Sequence, residues 1–291
     1  MDAYIIFNGQ IIESTVPCLK ATDRGFLLGD GVFETLRAYN GALPFWDLHL
    51  ERLRRGMAHL GFSLGPLPFD QMREQTRELL AKNGLSDAYV RVTVSRGDAI
   101  SALLPEWGEG EPNWVIFTKP LPPRLQIIHK KGVKAVFSSL RRNHSSPTAR
   151  FKTVNYLNLL LAKREAVLRG ADEALLLDEQ GHVAEAATSN IFWIKEGTIY
   201  TPSVDLPILP GVTRQKVLDM AKDLGISAQE GAYAPEALTG SREAFLTNSL
   251  CEIIPLISIE KSTVGDGIPG PMTRKLQSAY RILIHNTCLL T

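Results

Sequence analysis

The segment DRGFLLGDGVFETLRAYNG, residues 23–41, decides between two architectures. Gly25, Gly29 and Gly31 make it glycine-rich, and a dinucleotide-binding fold would place G-x-G-x-x-G directly after a strand and at the opening of a helix. Here Gly29-Asp30-Gly31 leads instead into Val32 to Tyr39, which reads as a strand. A nicotinamide-dependent dehydrogenase is therefore disfavoured, and the glycines are expected to permit close backbone packing. The segment ends on Asn40-Gly41, a dipeptide suited to a two-residue turn because both positions accept positive φ. Tyr4 to Phe7 and Gln10 to Ile12 flank a second such pair, Asn8-Gly9, so the chain is expected to open with a β-hairpin, with another formed by Phe33 to Tyr39 and Leu43 to Phe45.

Outward from this segment the pattern mixes helix and strand without regular alternation. Leu48, Leu53, Met57 and Leu60 recur near helical spacing, and Asp70 to Asn83 reads as a helix stopped by Gly84. Ala88 to Ser95 alternates, with Val90, Val92 and Val94 on one face and Tyr89, Arg91, Thr93 and Ser95 on the other. After a short strand at Trp114 to Thr118, KPLPPR (119–124) brings three prolines and marks a boundary. The reading is a small α+β domain over 1–118, a linker over 119–126 and a larger α+β domain over 127–291. In the second part, strands are expected near Val133 to Ser138, Ala174 to Asp178, Ile191 to Ile194 and Glu243 to Leu246. Helices are expected near Asn155 to Arg169, Thr213 to Leu224 and Pro271 to Leu283. This is α+β with mixed sheets and packed helices, not a doubly wound parallel sheet.

Composition narrows the function. The 291 residues are 44% hydrophobic and 22% charged, ordinary for a globular protein, and 32 Lys and Arg against 31 Asp and Glu leave a net charge of +1. That balance lacks the basic footprint of a nucleic-acid binder, so small molecules are the expected partners. Cys18, Cys251 and Cys288 are odd in number and widely spaced, suggesting neither a disulfide framework nor a metal site. No apolar run is long enough for a membrane span, and a cytoplasmic location is expected.

Several residues have chemistry to offer. Lys152 in RFKTVNYL precedes an apolar helical run beside Tyr156. Alone it reads more readily as a lysine snorkelling at a helix start. Glu185 in HVAEAATSNIF lies between two strand-like stretches, where it could equally cap a turn. Pro210-Gly211-Val212-Thr213-Arg214 puts backbone N–H groups and a hydroxyl at a helix start, a favourable place for a phosphate. Leu246-Thr247-Asn248-Ser249 is a second hydroxyl-bearing turn, and Arg52 in HLERL has the fork geometry for a phosphate. A lysine, a carboxylate, an arginine and two phosphate-type turns are the parts a pyridoxal 5′-phosphate (PLP) site needs.

With DRGFLLGDGVFETLRAYNG, HLERL (49–53), FKTVNYL (151–157), EAATSNIF (185–192), PGVTR (210–214) and LTNSLCEIIP (246–255) in this order, the chain resembles the class IV aminotransferases. That family includes branched-chain and D-amino-acid aminotransferases and aminodeoxychorismate lyases. The resemblance implies the two-domain PLP fold type IV, similar to D-amino-acid aminotransferase, and PLP as cofactor. It implies Lys152 as the residue that holds the cofactor aldehyde and moves the proton, and Glu185 as the carboxylate facing the pyridine nitrogen. It places Tyr156 near the ring hydroxyl and Arg52, Val212, Thr213 and Ser249 around the phosphate. Tyr89 and Arg91, from a Tyr-x-Arg similar to that of branched-chain enzymes, are expected to face the substrate with Leu250 and Cys251.

Neither the Arg-x-His pair of D-amino-acid enzymes nor a GRGY-like stretch follows Ser95-Arg96-Gly97, which continues as DAISALLPE. The expected activity is amino transfer between an amino acid, branched-chain L-type favoured, and a 2-oxo acid such as 2-oxoglutarate. The alternatives are a D-amino-acid or (R)-amine transaminase, or an aminodeoxychorismate lyase. A non-catalytic PLP carrier would have lost Lys152 or Glu185, and both are present. A homodimer or higher homo-oligomer is implied as well, with residues of 23–39 facing the neighbour's cofactor.

Overall fold

The computed structural model describes residues 3–62, 69–98 and 111–290. The chain separates into two compact units. The first holds the chain up to Leu121 with Phe151–Asn155 and the segment from Asn286 onward; the second holds Pro122–Arg150 and Tyr156–His285.

In the first unit, β1 (Tyr4–Phe7) and β2 (Gln10–Glu13) form the opening hairpin, and Asn8 and Gly9 both take positive φ (47° and 86°) as an Asn-Gly turn requires. The short helix α1 (Arg24–Leu28) precedes β3 (Gly31–Ala38), and α2 (Trp46–His59), α3 (Phe69–Lys82), β4 (Ala88–Ser95) and β5 (Asn113–Pro120) follow. Among the described residues the strands lie in the order β2-β1-β5-β4-β3. Alternation decides the layers: Val32, Leu36, Val90, Val92, Val94 and Ile116 point to one face, where Leu50, Leu53 and Met57 of α2 and Met72 and Leu79 of α3 cover them.

Two expectations differ from the structure. The Asn40-Gly41 turn forms, but Tyr39 and Ala42 make only an isolated bridge. Leu43 to Phe45 lead into α2 because Leu43 and Trp46 are wholly buried with the helical core. The first prolines of KPLPPR do not all lie outside the sheet: Pro120 ends β5 opposite Ala88, a strand-terminal position that tolerates a missing N–H.

Gly25 and Gly31 permit close packing against β4, as expected of them. A Cβ on Gly31 would stand 2.6 Å from the Val94 carbonyl, and one on Gly25 would stand 2.6 Å from Ser95 Cβ. Asp23 and Asp30 complete the motif. Buried Asp23 accepts from Ser95 Oγ and Asn113 Nδ2, and Asp30 pairs with Arg24 and Arg96. Arg96 also donates to the carbonyls of Leu60 and Gly61, tying the end of β4 to the end of α2. The missing Arg-x-His pair concerns residues that fall mostly outside the described ones.

The second unit contains α4 (Leu125–Lys131), β6 (Val133–Arg142), α5 (Leu157–Leu168), β7 (Glu173–Asp178), β8 (Val183–Ala186), β9 (Asn190–Lys195) and β10 (Thr198–Pro202). It continues with α6 (Val212–Asp223), β11 (Ala228–Gly231), β12 (Glu243–Asn248), β13 (Glu252–Ile259), β14 (Ser262–Thr263) and α7 (Pro271–Leu290), whose residues from Asn286 onward are counted with the first unit. Among the described residues the sheet runs β11-β10-β9-β12-β13-β6-β7-β8, with β14 on β13. It is mixed, with parallel pairs at β13–β6, β6–β7 and β10–β11. One face buries Val133, Leu175, Val183, Ile191, Trp193, Leu246 and Ile254. Across β6 and β7, Val136, Ala174 and Leu176 pack on Ala162 and Ala166 of α5, small residues that let the helix approach closely.

Candidate active site

Lys152 belongs to the first unit, where the backbone sets its place. Its carbonyl accepts from Phe33 N at 2.8 Å, Val154 N donates to the Gly31 carbonyl at 3.0 Å, and Thr153 bridges Val32. The segment thus lies alongside β3, joined to it by an isolated bridge and two flanking backbone hydrogen bonds. Lys152 Nζ sits 4.4 Å from the centroid of the Phe33 ring, and the Arg91 guanidinium lies over the same ring at 3.7 Å. The register explains the meeting: Phe33 pairs with Thr93 and Thr35 with Arg91, so Phe33 and Arg91 share the sheet face opposite the core. Arg91 Nε also donates to Thr93 Oγ1. Tyr89 on the same face stacks on Phe117 and carries Lys119 over its ring.

On the helix-covered face, Glu34 forms a buried ionic group with α2. Arg52 donates through Nε at 2.6 Å and Nη2 at 2.7 Å to the two carboxylate oxygens, and His49 Nδ1 lies 2.7 Å from Oε2. Burial alone would raise the Glu34 pKa, but Arg52 and His49 outweigh it and hold it at about 2. Burial pushes the His49 pKa below its ordinary value despite Glu34, and the Arg52 and Lys152 charges add to that depression. Burial thus disfavours the charged imidazole while Glu34 favours it. Arg52 turns one edge of its guanidinium to Glu34, so a phosphate would have to meet the opposite edge.

The remaining candidates belong to the second unit. Glu185 on β8 is buried; its Oε2 accepts from Leu209 N at 3.0 Å, and its Oε1 lies 3.0 Å from Arg142 Nη2. Arg142 is anchored in turn, donating through Nε to the Pro207 carbonyl and through Nη2 to that of Ala149. Tyr156, just before α5, donates its phenol O–H to the carbonyl of Ala187, two residues beyond Glu185. At α6 the first turn has no side-chain cap. A Cβ on Gly211 would stand 2.1 Å from Asn190 Oδ1, so only glycine fits there. Val212 and Thr213 are buried, and Thr213 Oγ1 has no hydrogen-bond partner among the described residues. A buried orphan hydroxyl at an uncapped helix start suits a phosphate, which would satisfy the hydroxyl and the first-turn N–H groups together. Arg214 is turned away, onto the Pro202 carbonyl and Glu230. Ser249, Leu250 and Cys251 form the turn between β12 and β13, where Leu250 N and Cys251 N donate to Asn248 Oδ1.

The model of the family "Amino-transferase class IV" matches residues 31–259. The chain belongs to the class IV aminotransferases. Aminodeoxychorismate lyase of Bacillus subtilis is 38% identical over 284 residues, covering 97% of this chain and 95% of that one. D-alanine aminotransferase of Bacillus licheniformis is 33% identical over 280 residues, covering 95% of each. The crystal structure of the Escherichia coli branched-chain amino acid aminotransferase superposes with a TM-score of 0.90 at 29% identity, over 97% of this chain and 95% of that one. The T.th. branched-chain enzyme, solved with N-(5′-phosphopyridoxyl)-L-glutamate, gives 0.86 at 28% identity, over 96% and 93%. The α+β architecture expected from sequence is thus that of fold type IV aminotransferases. No group of histidines, cysteines and carboxylates among the described residues could hold a metal, and no described helix is long and apolar enough to cross a membrane.

Sequence reasoning passed over Phe33, Glu34, His49, Arg142 and Asn190 as functional residues. Glu34 carried a signal: an acid at an inward position of an otherwise apolar alternation needs a buried partner.

Proposed function

We propose that this class IV aminotransferase uses PLP to exchange an amino group between an amino acid, branched-chain L-type favoured, and a 2-oxo acid such as 2-oxoglutarate. The observation that carries the reading is the α6 start, where Thr213 Oγ1 is buried without a partner among the described residues and the helix has no side-chain cap. Thr213, the Val212 N–H, Ser249 and the outer edge of Arg52 would hold the phosphate, and Tyr156 would stand at the ring hydroxyl. Bound PLP supplies an electron-withdrawing ring that accepts the electron pair released when Cα loses its proton.

The chain's residues do the rest. Lys152 would hold the cofactor through its aldehyde, and its amine would take the proton from the substrate Cα and return it. Glu185, fixed by Arg142 and Leu209 N, holds the proton on the pyridine nitrogen. Arg91 binds a substrate carboxylate, with Tyr89, Leu250 and Cys251 completing the pocket. The enzyme acts in the cytoplasm as a homodimer or higher oligomer. Exposed apolar side chains support a covering partner copy: Phe26 and Leu27 of α1, and Leu157, Leu160 and Leu168 of α5.

A second reading, aminodeoxychorismate lyase, is favoured by the 38% identity to the Bacillus subtilis protein of that name. The deciding experiment combines spectroscopy with a substrate panel. Purified protein should be yellow, and Lys152→Ala should lose both the colour and nearly all amino transfer. Lys152→Arg should fail too, since a guanidinium stays protonated. Wild-type turnover in Lys152→Ala refutes the assignment. Release of pyruvate and 4-aminobenzoate from aminodeoxychorismate, without transfer from L-leucine, selects the lyase.

A further inference from the structure

One residue, Leu209, joins the carboxylate of Glu185 to the start of α6. Its N–H donates to Glu185 Oε2 at 3.0 Å, and its carbonyl accepts from Asn190 Nδ2 at 2.9 Å. Asn190 is the buried first residue of β9. Two residues beyond Leu209, Gly211 caps the first turn of α6. The step between them is stiff, because Pro210 fixes its own φ and pushes Leu209 towards extended backbone. Asn190 reaches this end as well: a Cβ on Gly211 would stand 2.1 Å from its Oδ1, so the amide packs directly on the helix start. The nitrogen of one carboxamide therefore holds the Leu209 carbonyl while its oxygen shapes the entrance to α6. The carbonyl of Pro207, on the same segment, accepts from Arg142, the ion-pair partner of Glu185.

We propose that Asn190 is a positioning residue that couples Glu185 to the start of α6 through Leu209. The inference rests on the PLP reading, which puts Glu185 at the pyridine nitrogen and Thr213 at the phosphate. Two ends of one cofactor then meet two ends of one short segment. A shift of Leu209 moves its N–H off Glu185 and, through the rigid Pro210, re-aims the first N–H groups of α6. The Asn190 carboxamide opposes that shift, and its role needs no contact with the cofactor. Its loss should therefore disturb both ends of bound PLP together. A residue placed at one end alone disturbs that end.

The test follows PLP-loaded protein at both ends of the cofactor. The Kd for PLP, from release on dilution, reads the phosphate end, and the NMR shift of PLP isotopically labelled at its ring nitrogen reads the other. Asn190→Ala should raise the Kd about tenfold, the size of one hydrogen bond, and move the ring-nitrogen signal towards its unprotonated position. Thr213→Val should raise the Kd and leave the ring signal in place. An ionised aspartate in Asn190→Asp keeps the size of the side chain but offers the Leu209 carbonyl no donor. It should act like the alanine variant, and it decides the matter if that variant does not fold. Gly211→Ala drives its Cβ onto Asn190 Oδ1 and should also raise the Kd about tenfold. Combined with Asn190→Ala the obstacle is gone, so the double variant should bind PLP no more weakly than Asn190→Ala alone. Thermal stability that falls while either cofactor signal stays at its parent value would make Asn190 a turn former and overturn the proposal. Unchanged signals at unchanged stability, or additive costs in the double variant, would overturn it too. A parent that takes up no PLP refutes the cofactor reading itself, a result distinct from any difference between variants.

Discussion

The surroundings of Lys152 and Glu185 are built on opposite principles. Lys152 is fixed through its backbone: its carbonyl and its neighbours pair with β3, and its amine lies over the ring of Phe33. Glu185 is fixed through its side chain, one oxygen against the Arg142 guanidinium and the other on an N–H. The contrast fits the two roles proposed. A group that must form a bond, leave it and carry a proton needs an anchored Cα. A group that only holds a proton on a ring nitrogen needs its carboxylate locked in place.

The sharpest way to break this contrast is to unlock Glu185. Arg142→Met would leave a buried carboxylate without its ion-pair partner, a change that typically costs about 3–5 kcal/mol. Glu185→Gln removes the charge and keeps the shape. We expect Arg142→Met to destabilise the fold strongly, and Glu185→Gln to keep the yellow colour while turnover falls on the order of 100-fold, the lower end for loss of a positioned proton-transfer partner. Chemical denaturation and stopped-flow turnover measure the two effects. Equal stability of Arg142→Met and the parent would show that the ion pair does not hold Glu185.

The buried Glu34 group gives a smaller effect with a defined pH signature. A carboxyl held at about 2 against an ordinary 4.5 contributes stability that is fully present above the ordinary value and is lost as pH falls from 4.5 towards 2, in total roughly 3 kcal/mol. His49, depressed below its usual value, acts in the same direction: the unfolded chain takes up a proton below about 6.5 that the folded one resists. Both make acid destabilising. Unfolding free energies of the parent and Glu34→Gln, measured from pH 6 to pH 2, should converge as pH falls; a constant difference across that range would mean that Glu34 is not held ionised.

Periodicity made most of this legible. The valines of 88–95 announced β4 to the residue, and an Asn-Gly pair announced the first hairpin. The Asn40-Gly41 turn misled because turn chemistry specifies a reversal and says nothing about whether the next residues pair as a strand; burial of Leu43 and Trp46 settled that. Lys152 and Glu185 stood out by their neighbours in sequence, whereas Arg142 did not. Its partners at 149, 185 and 207 meet only through the folding of the second unit, and one of two adjacent arginines at the end of a strand looks like a solvated charge. Asn190 was quoted within a motif, but nothing in EAATSNIF says which way an asparagine side chain will turn.

The smallest effect lies on the face that Lys152 shares with Arg91. The Arg91 guanidinium lies 3.7 Å over the Phe33 ring and is half-buried, an arrangement that fixes its plane without neutralising its charge. Solvated arginines on half-exposed strands are common, and what separates the two readings is that Arg91 and Lys152 meet on one ring. If Arg91 binds the substrate carboxylate, Arg91→Ala should raise KM for L-leucine and for 2-oxoglutarate about tenfold, the loss of one charged hydrogen-bonding partner. KM for 3-methylbutylamine should stay unchanged, since that donor has no carboxylate to lose. Phe33→Leu sharpens the comparison: it keeps the apolar bulk but removes the ring that orients both cations, so it should raise KM for the same two substrates by a smaller factor. Steady-state kinetics on the three substrates decides the matter, and a uniform loss that includes the amine would place Arg91 in the structure of the sheet face and not at the substrate.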